Sequence, residues 1–370
     1  MARRRGKRTK PTRDGANANP YAGAAPAATV LTREQPDGHR ETAESIVIAF
    51  ILAFLFWTFE AEAFEIPTGS MATTLMGRHK DAHCPKCGYH YRVGSSREVD
   101  QATNARYPFL DVIAGTCPMC RYTMRFDDEN GEMVNRSYKG DRIWVSKESY
   151  RYSEPERWDV PVFKFPEQAK QNYIKRLIGL PGETIRIHGG DIFIVSPETG
   201  EAEIARTPPR KAEALLQAVY DNDYLIPEII EKGWPRRWQA WVEGEPAAGD
   251  WQPDDEGRAF SVDGTADGET WIRYQHFVPS YGDWQHLEAG PLPEGFTVRP
   301  QLINDFCQYN SARLLDRRDL PRGQQGRPRL EGRELMREPS FMGFHWVGDL
   351  ILECDVEVQG DTGSVVLDLV

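Results

Sequence analysis

Two sets of residues in this chain have the types and spacing to do chemistry. The first is a pair of Cys-x-x-Cys knuckles, Cys84-Pro-Lys-Cys87-Gly88 and Cys117-Pro-Met-Cys120, with 29 residues between them. Zinc takes four soft ligands in a tetrahedron at about 2.3 Å, and each knuckle can aim two sulfurs at one point. Proline after the first cysteine of each knuckle and glycine after Cys87 favour the tight turn this needs. The pattern predicts a closed, structural four-thiolate site with no position open to water or substrate. A pair of disulfides is the competing reading, which an oxidising compartment permits. His83 and His90 flank the first knuckle and read as bystanders. Cys307 and Cys354 stand outside any knuckle and read as buried thiols.

The second set is a serine and a lysine. Ser70 lies in Phe64-Glu-Ile-Pro-Thr-Gly-Ser-Met-Ala-Thr-Thr-Leu75, where Pro67 and Gly69 impose an irregular, open backbone. A serine hydroxyl is a poor nucleophile until a neighbouring base takes its proton. None of the eight histidines stands in an organised setting. A lysine can serve instead once its ammonium is desolvated, and Lys175 is the candidate. In a strand expected over 173–178 it shares a face with Tyr173 and Leu177, while Arg176 points the other way. Taken alone, each of the two is an ordinary surface residue.

These side chains need elements to hold them. Residues 64–82 and 139–190 read as short strands broken by turns. The segments 141–147, 160–165 and 173–178 combine β-branched and aromatic residues with rough alternation. Leu180-Pro-Gly-Glu183 is a turn, and Thr184–Ile187 with Ile192–Val195 forms a hairpin through Gly189-Gly190. Upstream runs an apolar stretch, Ile46–Phe59, with Thr58 its only polar residue. As a helix it covers about 21 Å, short of a hydrocarbon core of about 30 Å. Extending it to Ala43–Phe64 admits Glu44, Ser45, Glu60 and Glu62. It reads as a membrane anchor over 43–63, with a cleaved signal peptide ending at Ala61-Glu62-Ala63 and a buried core helix as the alternatives. The long leader and the distance of the basic residues from the apolar run favour the anchor.

With 370 residues the chain holds about two domains at roughly 150 residues each. Hydrophobic residues at 40% exclude wholesale disorder, and six cysteines are too few for a disulfide scaffold. A net charge of −11 argues against a general nucleic-acid binder. The charge is uneven, because residues 1–13 carry seven basic side chains and no acidic one. A tail over 1–42 is expected to be disordered and cytoplasmic. The core then occupies 64–82 and 136–195, split by a cysteine-bearing insert at 83–135. Residues 196–300 are acidic and hold six of the ten tryptophans, with Ala212–Tyr220 as the only helical stretch expected. Acidic residues interleaved with tryptophan read as a decoration packed on its own aromatics, not as a substrate surface. From 301 to 370 strands return, over Gly343–Leu352, Asp355–Val358 and Ser364–Val370.

Four motifs carry a resemblance. Ile66-Pro-Thr-Gly-Ser-Met71, Gly140-Asp-Arg-Ile-Trp-Val145, Asp159-Val-Pro-Val-Phe-Lys-Phe-Pro166 and Tyr173-Ile-Lys-Arg-Leu-Ile-Gly-Leu-Pro-Gly-Glu183 stand in the order found in type I signal peptidases. Members of that family are membrane-anchored serine endopeptidases with a Ser/Lys dyad on a mostly antiparallel β fold. The resemblance implies that Ser70 is the nucleophile and Lys175 its general base. It implies that the Thr68 hydroxyl, where the family usually has serine, and the Ser70 N–H bind the oxyanion. Phe64, Ile66, Pro67, Met71 and Ile174 align with positions that shape pockets for small residues, and Tyr173 with a residue near the lysine. Thr73 replaces the usual proline. The family's closing Gly-Asp-Asn motif, followed by a serine and an aspartate that orient the lysine, is missing. It is expected beyond Val370 or to have been lost. Residues 302–358 faintly resemble the start of a lectin- or laminin-G-like β-sandwich.

The resulting expectation is a mostly β, antiparallel catalytic core with one transmembrane helix, a small zinc-ribbon insert and the start of a β-sandwich. Its function would be removal of leader peptides from exported preproteins at the outer face of the lipid bilayer. No cofactor would take part in catalysis, structural zinc would sit in the insert, and no nucleic acid would be bound. The alternative is an inactive, membrane-tethered binding protein on the same scaffold.

Overall fold

The apolar run lies within one helix, Gly38–Leu55, continued by a π-helical turn over Phe56–Glu60. The 23 residues of Gly38–Glu60 are all exposed, and none is buried against the rest of the described chain. At 1.5 Å per residue they reach about 35 Å, which is long enough to cross a membrane. The added length comes from the front, where the Thr42 hydroxyl donates to Gly38 O at 2.7 Å and Arg40 pairs with Glu44 at 2.8 Å. Residues 38–42, expected to be disordered, are therefore helical. The helix also stops at Glu60, short of 63, because Ala61 opens a strand.

The computed structural model describes residues 38–100, 103–128, 133–242, 245–246, 250–254, 257–263, 269–319, 343–359 and 364–369. The expectation for residues 1–37 lies outside them. The chain divides into two units, Met1–Phe56 and Trp57–Val370.

Every strand pair described in the second unit is antiparallel. Strand β1 (Ala61–Glu65) leads into the Ser70 loop. Strands β2 (His79–His83) and β3 (His90–Gly94) form one hairpin, and β4 (Leu110–Thr116) and β5 (Thr123–Arg125) form another. The short β6 (Ser137–Tyr138) pairs with β2. Strand β7 (Arg142–Ser146) returns to pair with β1, Phe64 opposite Ile143. Its alternation is clean: Ile143 and Val145 are half-buried while Arg142, Trp144 and Ser146 are exposed. Strands β8 (Val162–Phe165) and β9 (Gln168–Ile174) form a hairpin, with Phe163 opposite Tyr173. Strands β10 (Thr184–His188), β11 (Asp191–Val195) and β12 (Ala202–Ile204) form a meander. The β10–β11 turn needs two residues at positive φ, and Gly189 at +61° and Gly190 at +95° provide them.

The largest buried core does not lie under the Ser70 loop. It surrounds the two cysteine hairpins, where Tyr91, Val93, Val112 and Phe126 pack with the cysteines. The acidic insert belongs to this core, because Trp234, Phe277, Trp284 and Leu287 are buried against the same cluster. The insert thus packs on the cysteine module as well as on its own aromatics. Trp284 and Leu287 sit on a helix over Tyr281–Ala289, and the Trp284 indole donates to Cys120 O at 2.9 Å. That helix was readable from Ser280-x-x-Asp283. The Ser280 hydroxyl accepts from Asp283 N at 3.2 Å, and the Asp283 carboxylate accepts from Ser280 N at 2.8 Å. A fully buried pair, Lys80 with Glu98 at 3.2 Å, ties β2 to the turn before β4. Its charges are supported by Val112 N donating to Glu98 and by Lys80 donating to Asn135 O.

Several expectations need correction. The helix expected over Ala212–Tyr220 is a single turn over Pro209–Glu213. It ends where the Thr74 hydroxyl takes the Ala214 carbonyl and Gln217 reaches Thr73, so tertiary contacts override propensity. The described residues of 343–369 contain no strand, and one isolated bridge joins Asn304 to Trp346. Alternation makes a strand possible, but only a partner edge that takes its N–H and C=O groups makes one. The described residues of 301–370 accordingly show no β-sandwich. Cys354 is exposed, not buried.

Because Leu287 is 1% exposed at the centre of the shared core, Leu287→Ala should cost about 2–5 kcal/mol of stability. Denaturant unfolding in detergent measures this, and a loss below about 0.5 kcal/mol would mean the insert is not part of the core.

Candidate active site and cysteine cluster

Strand β1 runs out at Glu65, and Ile66 N donates to Asp141 O at 2.9 Å, which anchors the start of the loop. Ile66 and Met71 are buried, Pro67 and Ser70 are exposed, and Phe64 and Thr68 are half-buried. Gly69–Met71 makes one 3-10 turn, so Ser70 stands on a short, upright bend. The Thr68 hydroxyl makes no capping bond to that turn.

Lys175 follows the last residue of β9; the strand ends at Ile174 and does not continue to 178. Its Nζ donates to Ser70 Oγ at 2.7 Å and to Ile174 O at 2.9 Å. The same nitrogen lies 5.6 Å from the centre of the Tyr173 ring, so the two side chains share a side. Tyr173 is stacked on Phe165 at 4.8 Å, which fixes that aromatic wall. Ser70, Lys175, Tyr173 and Ile174 are thereby brought to one place.

The chain after Lys175 is gripped by residues 157–159. Trp158 N donates to Leu177 O at 2.7 Å and Leu177 N to Asp159 O at 2.8 Å. Arg157 donates to Ile178 O at 2.6 Å and pairs with Glu183 of the Leu-Pro-Gly-Glu turn. Trp158 holds φ at +72°, which is rare for a bulky side chain, and its indole donates to Arg206 O at 3.2 Å. From Arg206 to Gln217 the insert then touches the segments that flank both partners. Lys211 donates to Asp159 at 2.8 Å on the lysine side. On the serine side, Gln217 donates to Thr73 Oγ1 at 3.2 Å.

The four knuckle cysteines converge. Each knuckle is the tip of a hairpin closed in the same way. Cys84 N donates to Tyr89 O and Gly88 N to Cys84 O in the first; Cys117 N donates to Tyr122 O and Arg121 N to Cys117 O in the second. Gly88 at φ +77° and Arg121 at +59° occupy equivalent places. The Cys84–Cys120 sulfurs are 3.5 Å apart and the Cys87–Cys117 sulfurs 3.6 Å, with all four within 4.8 Å of one another. Ligands at 2.3 Å in a tetrahedron stand about 3.8 Å apart, so the donor set fits one metal ion. These separations are far longer than a disulfide bond, and all four cysteines are free. His83 and His90 stack on each other at 4.1 Å, outside the sulfur cluster.

Comparison with known proteins finds similarity to signal peptidases. A family model described as signal peptidase, peptidase S26 matches residues 112–229. That stretch contains Lys175 and begins downstream of Ser70. Signal peptidase I of Leptolyngbya laminosa is 40% identical over 76 residues, covering 19% of this chain and 37% of that protein. Probable signal peptidase I-2 of Synechocystis is 33% identical over 91 residues, 23% of this chain and 41% of that protein. Signal peptidase I of Rickettsia bellii is 25% identical over 166 residues, 44% and 43% of the two chains. The chain thus spans less than half the length of these curated relatives. No solved structure matches.

Sequence reasoning missed the grip of Arg157–Asp159 and of Arg206–Gln217 on this site. Asp159 lies in a recognised motif, but nothing in the sequence pairs it with Lys211. That lysine holds the Asp159 carboxyl below the usual carboxylate range. A depressed carboxylate adds stability above its ordinary value of about 3.9, and the gain is lost as pH falls through the lower folded value. Hydrogen exchange over 206–217, corrected for intrinsic rate, should therefore stay slow from pH 7 to about 4 and rise below that. In Asp159→Asn it should already be fast at pH 7. An unchanged profile in the variant would mean that the Asp159–Lys211 pair does not hold this segment.

Proposed function

We propose that this chain carries the catalytic dyad of a type I signal peptidase, a membrane-anchored endopeptidase that removes leader peptides from exported preproteins. The observation that carries this reading is the 2.7 Å approach of Lys175 Nζ to Ser70 Oγ. The similarity to signal peptidase I sequences supports the reaction class.

In this reading the unprotonated Lys175 amine accepts the Ser70 proton as Oγ attacks the scissile carbonyl carbon. The oxyanion of the tetrahedral intermediate is held by the Ser70 N–H and the Thr68 hydroxyl, donors aimed at charge that develops only then. Collapse breaks the C–N bond, and the lysine returns the proton to the leaving amine. Water, deprotonated by Lys175, then attacks the ester carbonyl, and Lys175 passes the proton to Ser70 Oγ as the acyl–oxygen bond breaks. The substrate lies as an added strand along 64–67, with main-chain hydrogen bonds for affinity. Small residues before the cut enter pockets shaped by Phe64, Ile66, Pro67, Met71, Ile174 and Tyr173.

The helix Gly38–Glu60 is the anchor of this reading, with the basic tail in the cytoplasm and the dyad on the outer face. Ser70 follows Phe59 by eleven residues, a reach of at most about 40 Å. A cleavage site at the membrane surface is within that reach. The four thiolates of Cys84, Cys87, Cys117 and Cys120 would hold one structural zinc ion, which clamps the two hairpin tips together.

Ser70→Ala and Lys175→Ala should each lower cleavage of a preprotein in detergent micelles by about 10³-fold or more. Cleavage retained in either variant would leave only a tethered scaffold. Metal analysis of purified protein should return about one zinc per chain, and Cys117→Ser should lower both zinc content and melting temperature. Metal-free protein with linked cysteines would overturn the zinc assignment.

A further inference from the structure

We propose that Tyr309 is a positioning residue for the nucleophile, a buried strut whose ring seats the Gly69–Ser70 backbone from beneath. The proposal rests on the reading of Ser70 as nucleophile. Tyr309 lies 239 positions beyond Ser70 in the chain and is 5% exposed. It occupies a socket made by three glycines from three segments. A Cβ at Gly69 or Gly94 would fall inside the van der Waals surface of the Tyr309 ring. One at Gly77 would lie 2.7 Å from its hydroxyl and against the Thr68 carbonyl group. None of the three has positive φ. Glycine is therefore required there for close approach, not for backbone freedom.

The ring is fixed from its other sides. Its hydroxyl donates to Arg78 O at 2.7 Å, and Arg78 N donates in turn to Pro67 O at 3.4 Å, at the base of the Ser70 loop. Tyr309 belongs to the turn Gln308–Ser311. The fully buried Ser311 accepts from Thr116 N at 3.0 Å, and Thr116 is the residue before Cys117. Gly94 ends β3, which starts from the first knuckle. The turn that carries the strut is thus pinned to the cysteine hairpins, and the strut bears on the residue before Ser70. An exposed serine on a three-residue turn has little packing of its own. Catalytic groups need placement within about 0.5 Å, and this ring is the packed surface that provides it.

The test uses the full-length protein in detergent, with Ser70→Ala as the control that cleavage depends on the dyad. Tyr309→Leu shrinks the strut, and Gly94→Ala displaces the ring from outside the Ser70 loop. Each should lower kcat about 10²-fold, the loss expected for a 1 Å misplacement, with KM changed less than about threefold. Tyr309→Phe, which keeps the ring, should retain kcat within about threefold. The double variant Gly94→Ala/Tyr309→Leu should recover part of the Gly94→Ala loss. Hydrogen exchange over 67–75 should rise in both single variants while 110–120 stays protected. That readout decides the strut even if the wild-type chain cleaves no preprotein, a result that would sink the peptidase reading alone. If Gly94→Ala does not fold, the Leu and Phe variants at 309 decide between them. Unchanged exchange over 67–75 in Tyr309→Leu, or a Phe variant as impaired as the Leu variant, would overturn the proposal.

Discussion

Two exposed side chains, 105 positions apart, meet at 2.7 Å. Neither is held by burial of its own, since Ser70 rides a single 3-10 turn and Lys175 follows the end of a hairpin. A hydrogen bond between solvated groups adds about 1 kcal/mol and cannot organise the backbones that carry it. The constraint on the rest of the molecule is therefore to bring two poorly packed segments into register from outside.

The surrounding structure meets that constraint by bracing. Residues 157–159 grip the chain just after Lys175, and Arg206–Gln217 joins that grip to the stretch after Ser70. Beneath Ser70, the Tyr309 ring fills a socket that only glycines could leave open. Among the described residues, the larger buried core is the cysteine module with the aromatic residues of the acidic insert. The positioning contacts lead back to it through Thr116, Ser311 and β3. Rigidity is generated where apolar area is buried and is carried by directional hydrogen bonds to the exposed Ser70 and Lys175.

This division also explains the acidic insert. Its described acidic side chains are exposed or half-buried, while Trp234, Trp284 and Leu287 turn inward against the cysteines. The buried Lys80–Glu98 pair serves the same module. A pair with no exposure contributes little net stability, yet it is strongly destabilising to break, so it fixes which strand lies beside which.

Local chemistry was legible in the sequence wherever spacing alone determines geometry. The two knuckles, the Gly189-Gly190 hairpin, the alternation in Arg142–Ser146 and the apolar run all depend on residues a few positions apart. The Ser280 capping box, which starts the helix Tyr281–Ala289, is local in the same way. The tertiary structure alone decided which segments touch. The strands expected over Gly343–Leu352 and Asp355–Val358 do not form without a partner edge, and Ala212–Tyr220 does not continue its helix where Thr74 and Gln217 claim the chain. Nothing near Tyr309 in sequence marks it as the support for Ser70. Periodicity reports the face a residue prefers, whereas contacts across hundreds of positions depend on how all the buried faces fit together.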